Sequence, residues 1–497
     1  MMLISFIPSF ILSHVSYGLP DISLLGIVAA TLLSMSLLWC VIGPKSLPTV
    51  DARTAPDRYS QLIKNARKIH RIFTLKTYAG PITILPPEYI DEVRNDRRLS
   101  LAAWFAQEFC VHYAGFELFR PVTVGDDILQ DSVKQGLSNT WSTLTPRMAG
   151  DAGIQLEQAW GTKSEWQDVP LNASIDGIVQ YILASVLFDS DLNSREDWLS
   201  RVTACSEAAA IALTQLRKWP PLLRPLLHWL LPSCWRLRNQ VHDVRRIIDT
   251  VIAARRSRDT EKKYDDAIDW LERSARGRPY DAAMGPMVMF FGGTDTLTDM
   301  LTQVLSDLCG RPELVEELRQ EVMDVTLGQN GWRTQDLHRL RLMDSVLKES
   351  QRLKPFEIVL LRRMARETVR LSDGTRIPKG SSIGFSADLM RDASNYANPN
   401  QFHAHRFLQL RDTPGYTHKS LLATPSVSHI GFGCGLQSCP GRFFAAGLMK
   451  ILLTHIVMKY DIRASVDEVK LVTDGFRVKV DPEATLSVRR RLGVTVP

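Results

Sequence analysis

The sequence lacks the paired cysteines of a disulfide-bonded or zinc-binding domain. Its seven cysteines are odd in number and scattered, and no two of them form a Cys-x-x-Cys pair. Cys434 and Cys439 are separated by four residues, but there is no matching second pair for a zinc site. These absences exclude a disulfide framework and favour a reducing compartment for the main domain.

Blocks of basic residues are also missing. The 60 Lys and Arg residues are spread along the chain and nearly balanced by 54 Asp and Glu residues, so the net charge is only +6. This distribution gives nucleic-acid binding no support, and it suits a membrane surface or an acidic redox partner better. With 45% hydrophobic residues, the chain is long enough to bury a large core.

Charge is absent from two stretches at the N-terminus, Met1–Leu19 and Ile22–Ile42. The second stretch would extend about 32 Å as a helix, enough for a hydrocarbon core of about 30 Å. A cleaved signal peptide usually begins with basic residues, and none is present here; a buried core helix is the other alternative. Because the first basic residue, Lys45, follows the stretch, the rest of the chain is expected on the cytoplasmic side.

These features predict three segments. Residues 1–43 form a membrane anchor with one transmembrane helix at about 22–42, and residues 44–60 form a linker containing proline and glycine. Residues 61–497 form the catalytic domain. Whether Met1–Leu19 also enters the bilayer is left open.

A short glycine-rich stretch near the C-terminus holds the most informative cysteine. It runs from Phe432 through Gly435 to Cys439 and Gly441, and an apolar helical pattern follows it. Glycines permit backbone angles that a Cβ would forbid, and a helix N-terminus favours a thiolate. Such a thiolate suits a soft metal such as haem iron, whereas the alternative is an unreactive buried thiol.

A second chemical stretch lies in the long apolar pattern from Met284 to Leu308. It contains Gly292-Gly293 followed by Asp295 and Thr296. A glycine costs about 1 kcal/mol in a helix interior, so two in succession need a reason. One reason is room for a flat cofactor and oxygen, with Asp295 and Thr296 moving protons; the alternative is a packing notch.

Two further patterns carry paired charges. Glu349 and Arg352 lie three residues apart in a helix predicted at Leu337–Leu353, so they share one helix face. At the surface such a pair would contribute less than about 1 kcal/mol. Arg362 and Arg363 form a doublet before a hairpin predicted at Ser372–Thr375.

The stretch Trp219–Pro232 is apolar but interrupted by four prolines. It is too broken to span a membrane and too apolar for an ordinary exposed loop. A buried loop is one alternative. The preferred interpretation is a segment that dips into the bilayer interface beside a channel for apolar substrates.

Together these motifs resemble the cytochrome P450 family. The stretch Phe432–Gly441 is similar to the family's haem-thiolate loop, Gly-Gly-x-Asp-Thr to its oxygen-activation motif, and Glu-x-x-Arg to its bracing pair. The resemblance covers roughly residues 50–490. It implies a mainly α fold with a smaller β-rich subdomain, one haem b and Cys439 as the axial ligand of the iron.

The resemblance also implies residue roles. Asp295 and Thr296 would be catalytic and would deliver protons, and Arg406 would complete a bracing network with Glu349 and Arg352. Arg363 would reach a haem propionate, with Arg362 as the runner-up. The residues implied to contact the cofactor are Phe432, Gly435, Gln437, Cys439, Gly441, Arg363, Gly292 and Gly293, and the candidate substrate-pocket residues are Phe356, Ile358, Val359 and Phe476.

The chain departs from the family pattern at three places. Gln437 stands where the family usually has Arg or His two residues before the cysteine, so its amide is expected to donate to the propionate without positive charge. His405 replaces an acid before Arg406. Trp141 and Arg147 are six residues apart and do not form the family's Trp-x-x-x-Arg pattern.

The implied activity is reductive activation of O2 and insertion of one oxygen atom into an apolar substrate. Electrons would come from an NADPH-dependent membrane reductase, with cytochrome b5 as an optional second donor, at the endoplasmic reticulum membrane. Thr77–Pro81, Tyr89–Asn95 and Arg442–Ala445 look most like fungal members acting on terpenoids, such as ent-kaurene oxidase-like, meroterpenoid and indole-diterpene enzymes. The alternatives are a haem-thiolate isomerase or dehydratase, which needs no external electrons, and a non-catalytic haem-binding protein.

Overall fold

The described strands form four sheets, the largest of which belongs to the small subdomain. The computed structural model describes residues 47–53, 58–124, 127–257, 264–326, 332–465 and 470–493. Within these residues the strands are β1 (Thr49–Asp51), β2 (Phe73–Thr77), β3 (Gly80–Leu85), β4 (Leu99–Ser100), β5 (Gln167–Pro170), β6 (Val359–Ala365), β7 (Val369–Arg370), β8 (Arg376–Ile377), β9 (Ser382–Ser386), β10 (Tyr460–Ala464), β11 (Leu471–Asp474), β12 (Arg477–Val480) and β13 (Thr485–Arg490).

The largest sheet has the strand order β1-β2-β3-β9-β6-β4. The alternating apolar pattern of β2 and β3 predicts their antiparallel pairing, which pairs Phe73 with Ile84. β1 comes from residues assigned to the linker at 44–60, and it pairs in parallel with β2. The apolar face of this sheet packs on Tyr59 and Ile63 of the first described helix and forms a separate small core.

Helices make up most of the remaining chain. Those described are α1 (Tyr59–Ile69), α2 (Ile90–Val93), α3 (Leu101–Glu108), α4 (Ile128–Trp160), α5 (Leu171–Leu187), α6 (Ser190–Asn193), α7 (Trp198–Arg217), α8 (Arg224–Leu230), α9 (Pro232–Ser257), α10 (Ala267–Ala275), α11 (Met284–Cys309), α12 (Pro312–Thr326), α13 (Thr334–Arg339), α14 (Arg341–Leu353), α15 (Arg406–Arg411) and α16 (Arg442–Lys459). The predicted mainly α fold with a smaller β-rich region is confirmed.

The main core is built around α11 and α16, which are apolar on most sides and therefore buried. Helix α11 packs along α5, and α16 packs along α4. Trp160, Trp198 and Trp270 are among the largest fully buried side chains of the described residues. The helix that carries the glycine pair (α11) and the helix that follows the cysteine loop (α16) are therefore both packed into the main core.

The single helix predicted at Leu337–Leu353 is wrong in one respect, because the chain breaks at Leu340. Its ψ of 77° lies outside the helical range, and α14 begins at the next residue. The carboxylate of Glu321 on α12 accepts hydrogen bonds from the N–H groups of Leu342 at 2.6 Å and Met343 at 2.9 Å. A carboxylate from another helix therefore stabilises the new N-terminus.

The N-terminal span predicted at about 22–42 lies outside the described residues. Within the described ranges, no helix is both long enough and apolar enough to cross a membrane. The stretch Trp219–Pro232 contains a short helix, α8, and ends at the first residue of α9. Its apolar side chains are partly or largely exposed, at Trp219, Leu222, Leu223, Leu226, Trp229 and Leu230, so the buried-loop alternative does not describe it.

Candidate active site

The loop before α16 holds Cys439 by backbone hydrogen bonds and close packing. The N–H of Cys439 donates to the carbonyl of Phe432 at 2.9 Å, which closes the loop. Gly435 has a φ of +77°, and a Cβ there would lie 2.5 Å from the carbonyl oxygen of Arg94. Only glycine fits that position, so the predicted need for Gly435 has two causes, conformation and space.

The side chain of Cys439 is partly exposed, although the loop around it is tightly packed. Burial raises the pKa of its thiol, and the backbone N–H groups of Gly441 and Arg442 act in the opposite direction. These N–H groups belong to the start of α16, as the sequence predicts. A free, partly exposed thiol at the start of a helix suits a metal ligand better than it suits a core residue.

Gln437 is bonded to the backbone at both ends of its amide. Its Oε1 accepts the N–H of Leu101 at 2.7 Å, and its Nε2 donates to the carbonyl of Leu99 at 3.0 Å. The amide therefore ties the cysteine loop to the junction of β4 and α3. The bond to Leu99 uses one of the two N–H groups of this amide, so the expected hydrogen bond to a propionate stays a prediction.

The two glycines of α11 have different surroundings. Gly292 is the one exposed residue of α11, all of whose residues are described, and a Cβ there would meet no atom within 4 Å. At Gly293 a Cβ would lie 3.0 Å from Cδ1 of Leu183. Gly292 thus faces open space in the middle of a buried helix, whereas Gly293 is a packing notch against α5.

Thr296 and Asp295 lie one turn beyond this opening but do not bond to each other. The Thr296 hydroxyl donates to the carbonyl of Gly292 at 2.9 Å, which bends a helix locally. Asp295 instead accepts a hydrogen bond from Nη1 of Arg477 at 2.8 Å. The acid and the alcohol are therefore neighbours with separate partners.

Arg477, at the start of β12, is a residue that sequence reasoning missed. Its Nε also donates to Asp299 at 2.8 Å, so one guanidinium joins two carboxylates of α11. The four-residue spacing of Asp295 and Asp299 places them on one helix face and was the available indication of a shared cation. Nothing local in the sequence around Arg477 identifies it as that cation.

The bracing network predicted from Glu-x-x-Arg is present and buried. Arg352 makes two hydrogen bonds of 2.8 Å to the carboxylate of Glu349, and neither side chain is exposed. Nε of Arg406 donates to both Glu349 oxygens, at 3.0 and 3.1 Å. His405, which replaces the family's acid, turns outward and pairs with Glu317 at 2.7 Å.

A β-bulge gives Arg362 and Arg363 different surroundings. Strand β6 carries one extra residue between Leu360 and Arg363, and Leu361 adopts a φ of +52° there. Arg363 is 2% exposed, and its Nη2 has no hydrogen-bond partner among the described residues. Arg362 is already engaged, because it pairs with Glu357 and lies over the ring of Trp104 at 4.2 Å.

Burial lowers the pKa of Arg363 to about 10, and no carboxylate offsets that effect. A buried cation without a counter-ion is costly unless a ligand supplies the anion. The carboxylate of a haem propionate is such an anion. Of the two candidates, Arg363 therefore fits the predicted contact and Arg362 does not.

The sequence profile of the cytochrome P450 family matches residues 139–485, which include Cys439, the Glu349 network and all of α11. The chain belongs to the cytochrome P450 family. The match covers well over half of the chain and contains every motif on which the resemblance depends. As a member, it has the haem-dependent monooxygenase activity of that family.

Relatives of this P450 come from fungi. It is 42% identical over 439 residues to cytochrome P450 monooxygenase easM of Aspergillus fumigatus, covering 86% of this chain and 85% of the relative. It is 40% identical over 430 residues to cytochrome P450 monooxygenase adrA of Penicillium rubens, covering 84% and 83%. The structure of retinoic acid bound cyanobacterial CYP120A1 matches with a TM-score of 0.68 at 17% identity, covering 90% of this chain and 99% of that one, which shows a common fold.

The residues of this P450 fit a haem by three independent observations. Cys439 offers a free thiol, Arg363 offers a buried guanidinium whose Nη2 has no hydrogen-bond partner among the described residues, and Gly292 leaves open space on α11. When bound, haem supplies the reductive activation of O2. The protein supplies the ligand, the propionate partner and the space.

The four substrate-pocket candidates lie mainly against the small sheet. Val359 is fully buried in the core of that sheet, which leaves it no surface for a ligand. Ile358 and Phe476 pack against the same core, and the ring of Phe356 lies 5.1 Å from the guanidinium of Arg477. The packing interpretation fits these positions better than the pocket interpretation.

Phe291, the neighbour of Gly292 on α11, packs against aromatic side chains that follow α3. Phe291 contacts Phe109 and Phe119 with ring centroids 6.3 and 4.9 Å away, and Phe105 stacks on Phe109 at 4.0 Å. Phe119 is fully buried, whereas Phe105, Phe109 and Phe291 are partly exposed. These rings therefore contribute to the core, and the three partly exposed ones, Phe105, Phe109 and Phe291, form an aromatic wall next to Gly292 in α11.

Proposed function

We propose that this cytochrome P450 takes NADPH-derived electrons and O2 and oxidises an apolar terpenoid, meroterpenoid or indole-diterpene intermediate. The aromatic wall beside Gly292 carries this proposal. Partly exposed rings of Phe105, Phe109 and Phe291 next to open space on α11 favour a bulky apolar ligand and exclude water from it. The fungal relatives support the same class of pathway.

Within the site, each residue of the chain has a limited task. Cys439 would bind the iron, and the thiolate's electron donation favours cleavage of the O–O bond. Thr296 would hold a hydrogen bond near the opening, and Asp295 would pass protons inward from solvent. The number of successive oxidations is not fixed by these residues.

A substrate panel tests the proposal. The haem-loaded full chain is mixed with diterpenoids, indole-diterpenes and fatty acids, and the substrate-induced shift of the Soret band and reductase-dependent product are measured. Terpenoids should shift the band and yield product with NADPH consumption. Product without reductase would favour the isomerase alternative, and binding of fatty acids alone would contradict the substrate class.

Phe109→Leu should weaken the spectral affinity for the best substrate by about tenfold, because one partly exposed aromatic face is lost. The matched control is Phe188→Leu, since Phe188 is fully buried against Trp198 and Phe290. That control should lose stability without losing spectral affinity. Equal spectral affinities of Phe109→Leu and Phe188→Leu would contradict the proposal that the aromatic wall contacts the substrate.

The electron donor is proposed to dock beside the cysteine loop. A cavity of about 500 Å³ lies there, bordered by Pro440 and Phe443 and by the basic residues Lys134 and Arg411. An acidic reductase or cytochrome b5 surface would complement these charges. Lys134→Glu with Arg411→Glu should slow reduction by the reductase at low salt, whereas Lys68→Glu on α1 should not.

The exposed apolar segment Trp219–Leu230 is proposed to enter the membrane interface. Leu222 is 92% exposed, Leu226 63% and Leu230 67%, far more than an isolated surface side chain explains. Buried Arg224 keeps the segment attached by donating to the carbonyls of Trp219 at 2.9 Å and Tyr78 at 2.9 Å. Apolar side chains held outward in this way suit a lipid surface.

Liposome flotation distinguishes membrane binding by the segment Trp219–Leu230 from membrane binding by the proposed anchor at residues 1–43. Deleting residues 1–43 should weaken binding but leave a measurable fraction bound, and adding Leu222→Ser, Leu226→Ser and Leu230→Ser should remove it. Ile154→Ser is the control, because Ile154 is 56% exposed on α4. Protease protection in microsomes would test the proposed cytoplasmic orientation at the endoplasmic reticulum.

A further inference from the structure

Lys348 on α14 is a fully buried cation next to Glu349, and its ammonium group takes no part in the Glu349 network. Its Nζ donates to the carbonyls of Lys419 at 2.8 Å, Leu421 at 2.7 Å and Thr424 at 3.1 Å. An ammonium group has three N–H donors, so three converging carbonyls satisfy it completely. The side chain is therefore built into a cage of backbone oxygens.

The three carbonyls belong to one short piece of chain, the 419–424 segment, which is also held through its N–H groups. The carboxylate of Asp344, one turn before Lys348 on α14, accepts the N–H of Leu422 at 2.8 Å. The other oxygen of Asp344 pairs with Lys450 of α16 at 2.6 Å. A cation and a carboxylate of α14 together fix the segment to that helix.

The 419–424 segment in turn contacts the cysteine loop through Arg442. Nε of Arg442 donates to the carbonyl of Ala423 in the segment at 3.0 Å, and its Nη1 donates to the carbonyl of Cys439 at 2.8 Å. The guanidinium also lies over the ring of Phe443, 4.6 Å from the centroid. One planar side chain therefore joins the segment to the residue that carries the thiol.

Arg442 is the single charged residue from 430 to 449, the stretch that contains the cysteine loop. Gln437, two residues before Cys439, contributes a neutral amide instead of a charge. The loop therefore has one cation of its own, and the 419–424 segment holds that cation in place.

The surroundings of Lys348 favour its charged form in one respect and oppose it in another. Burial lowers the pKa of Lys348 to about 7, and Asp344 acts in the opposite direction. A neutral amine has only two N–H groups, so it would leave one buried carbonyl without a donor. Measurements made below that pKa keep the ammonium form.

We propose that Lys348 is a positioning residue for the haem ligand: it fixes the 419–424 segment, and the segment holds Arg442 against the carbonyl of Cys439. The inference rests on the proposed ligation of the iron by Cys439 and is independent of the substrate and the electron donor. Loss of the ammonium group should leave the helices folded and let the loop lose its thiolate bond more easily.

Lys348→Met in the haem-loaded full chain replaces the ammonium by an apolar group of similar length. The CO-bound Soret band reports whether the axial ligand is a thiolate, and its conversion to the form without thiolate should be about tenfold faster than in wild type, because charge-assisted hydrogen bonds are lost. Lys354→Met is the matched control. Lys354 is also largely buried and donates to a backbone carbonyl, that of Gln303 at 2.8 Å, but Gln303 belongs to α11. Its conversion rate should equal that of wild type.

Arg442→Gln tests the path from the segment to the ligand. If Lys348 acts through Arg442, this variant should also convert faster, and the double variant with Lys348→Met should be no faster than the faster single variant. Two effects that multiply in the double variant would be independent of each other and would overturn the proposed path.

Chemical rescue separates the role of the cation from a general loss of packing. Lys348→Ala leaves a cage of three carbonyls that a small cation with N–H groups can occupy. Methylammonium should slow the conversion of Lys348→Ala toward the wild-type rate, whereas tetramethylammonium, which has no N–H, should not. Lys348→Met should not respond, because its side chain fills the space. If Lys348→Met does not fold, Lys348→Ala prepared with methylammonium decides, since removal of the ion should start the conversion.

A wild-type conversion rate in Lys348→Met, or failure of methylammonium to support Lys348→Ala, would overturn the inference. Cys439→Ser distinguishes this failure from failure of the proposed ligation. If the thiolate band is present in wild type, absent in Cys439→Ser and unaffected by Lys348→Met, only the role of Lys348 fails. If Cys439→Ser keeps the thiolate band, the ligation by Cys439 fails.

Discussion

Two arginine–carboxylate networks in this P450 have similar bonds and different surroundings. The network of Glu349, Arg352 and Arg406 is almost completely buried, and its guanidiniums also donate to backbone carbonyls such as that of Met390 at 2.9 Å. The network around Arg477 ends in the partly exposed carboxylate of Asp295. The charged groups of the Glu349 network are all bonded and almost completely buried. In the Arg477 network, by contrast, the carboxylate of Asp295 meets solvent.

The difference shows that burial and bonding, rather than charge, divide structural from functional ion pairs. In the buried network every change leaves an unpaired charge, so the network can only fix the fold. In the half-exposed network, water can replace a lost partner at Asp295, so the loss of Asp295 should cost less stability than the loss of Glu349. The following variants are chosen to break or sharpen that division.

The largest effect is expected for Glu349→Gln. It leaves Arg352 and Arg406 buried without a counter-ion, so the free energy of unfolding should fall by about 3–5 kcal/mol. Urea unfolding followed by tryptophan fluorescence and the Soret band measures it. The control Glu317→Gln removes a half-exposed partner of His405 and should cost less than about 1 kcal/mol; similar losses in both would undo the comparison.

Arg363→Leu should cost haem rather than stability. Among the described residues the buried side chain has only the carbonyl of Arg362 as a hydrogen-bond partner, so its removal should leave the haem-free protein at least as stable as wild type. Haem retention should fall roughly ten- to hundredfold, because a charge-assisted contact contributes about 1.5–3 kcal/mol. Haem transfer to an excess of apo-globin measures it, and greater loss in Arg362→Leu would show that the wrong arginine has been chosen.

Gln437→Leu should destabilise the cysteine loop by about 1–3 kcal/mol, since the N–H of Leu101 and the carbonyl of Leu99 lose their partner. Gln437→His introduces an imidazole at the position where the family usually has Arg or His. An imidazole cannot serve both backbone groups with the amide's geometry, so it should now recover only part of the loss. Full recovery of both stability and haem retention by histidine would favour direct propionate contact.

What the sequence predicts well here depends on short separations. The i, i+3 spacing of Glu349 and Arg352 requires only a helix, and the left-handed backbone of Gly435 requires only a tight loop, although its close contact with Arg94 does not follow from local sequence. The apolar patterns of α11 and α16 likewise predict buried helices from local periodicity. Each of these predictions uses geometry that neighbouring residues set among themselves.

The rest depended on partners far along the chain. The amide of Gln437 meets backbone groups more than three hundred residues earlier, and Arg477 meets acids from a separate helix. The break at Leu340 follows from Glu321 on α12, which no local pattern at Leu340 reveals. Side chains with several acceptable partners are assigned by packing, so spacing alone could name Asp295 but not the cation that holds it.

The last effect, which is absent at neutral pH, tests burial without a hydrogen-bond partner. His455 on α16 is 4% exposed, and neither ring nitrogen has a hydrogen-bond partner among the described residues. Burial, with Lys459 and Arg490 nearby, lowers its pKa to about 3. Because the unfolded chain binds a proton near pH 6.5 and the folded one does not, this site's contribution to stability is complete above that pH and is lost as pH falls toward 3.

His455→Phe keeps an aromatic ring and removes the titration. The free energy of unfolding of wild type minus that of the variant should be constant above about pH 7 and should fall by about 1 kcal/mol per pH unit below about pH 6. Exposed His242→Gln is the control and should show no such slope. A flat difference for His455→Phe would mean that the buried ring is already protonated or hydrated. Burial in the core would then not be enough to prevent a group from exchanging protons with solvent. The Glu349 network could therefore not be called fixed on the ground of burial alone.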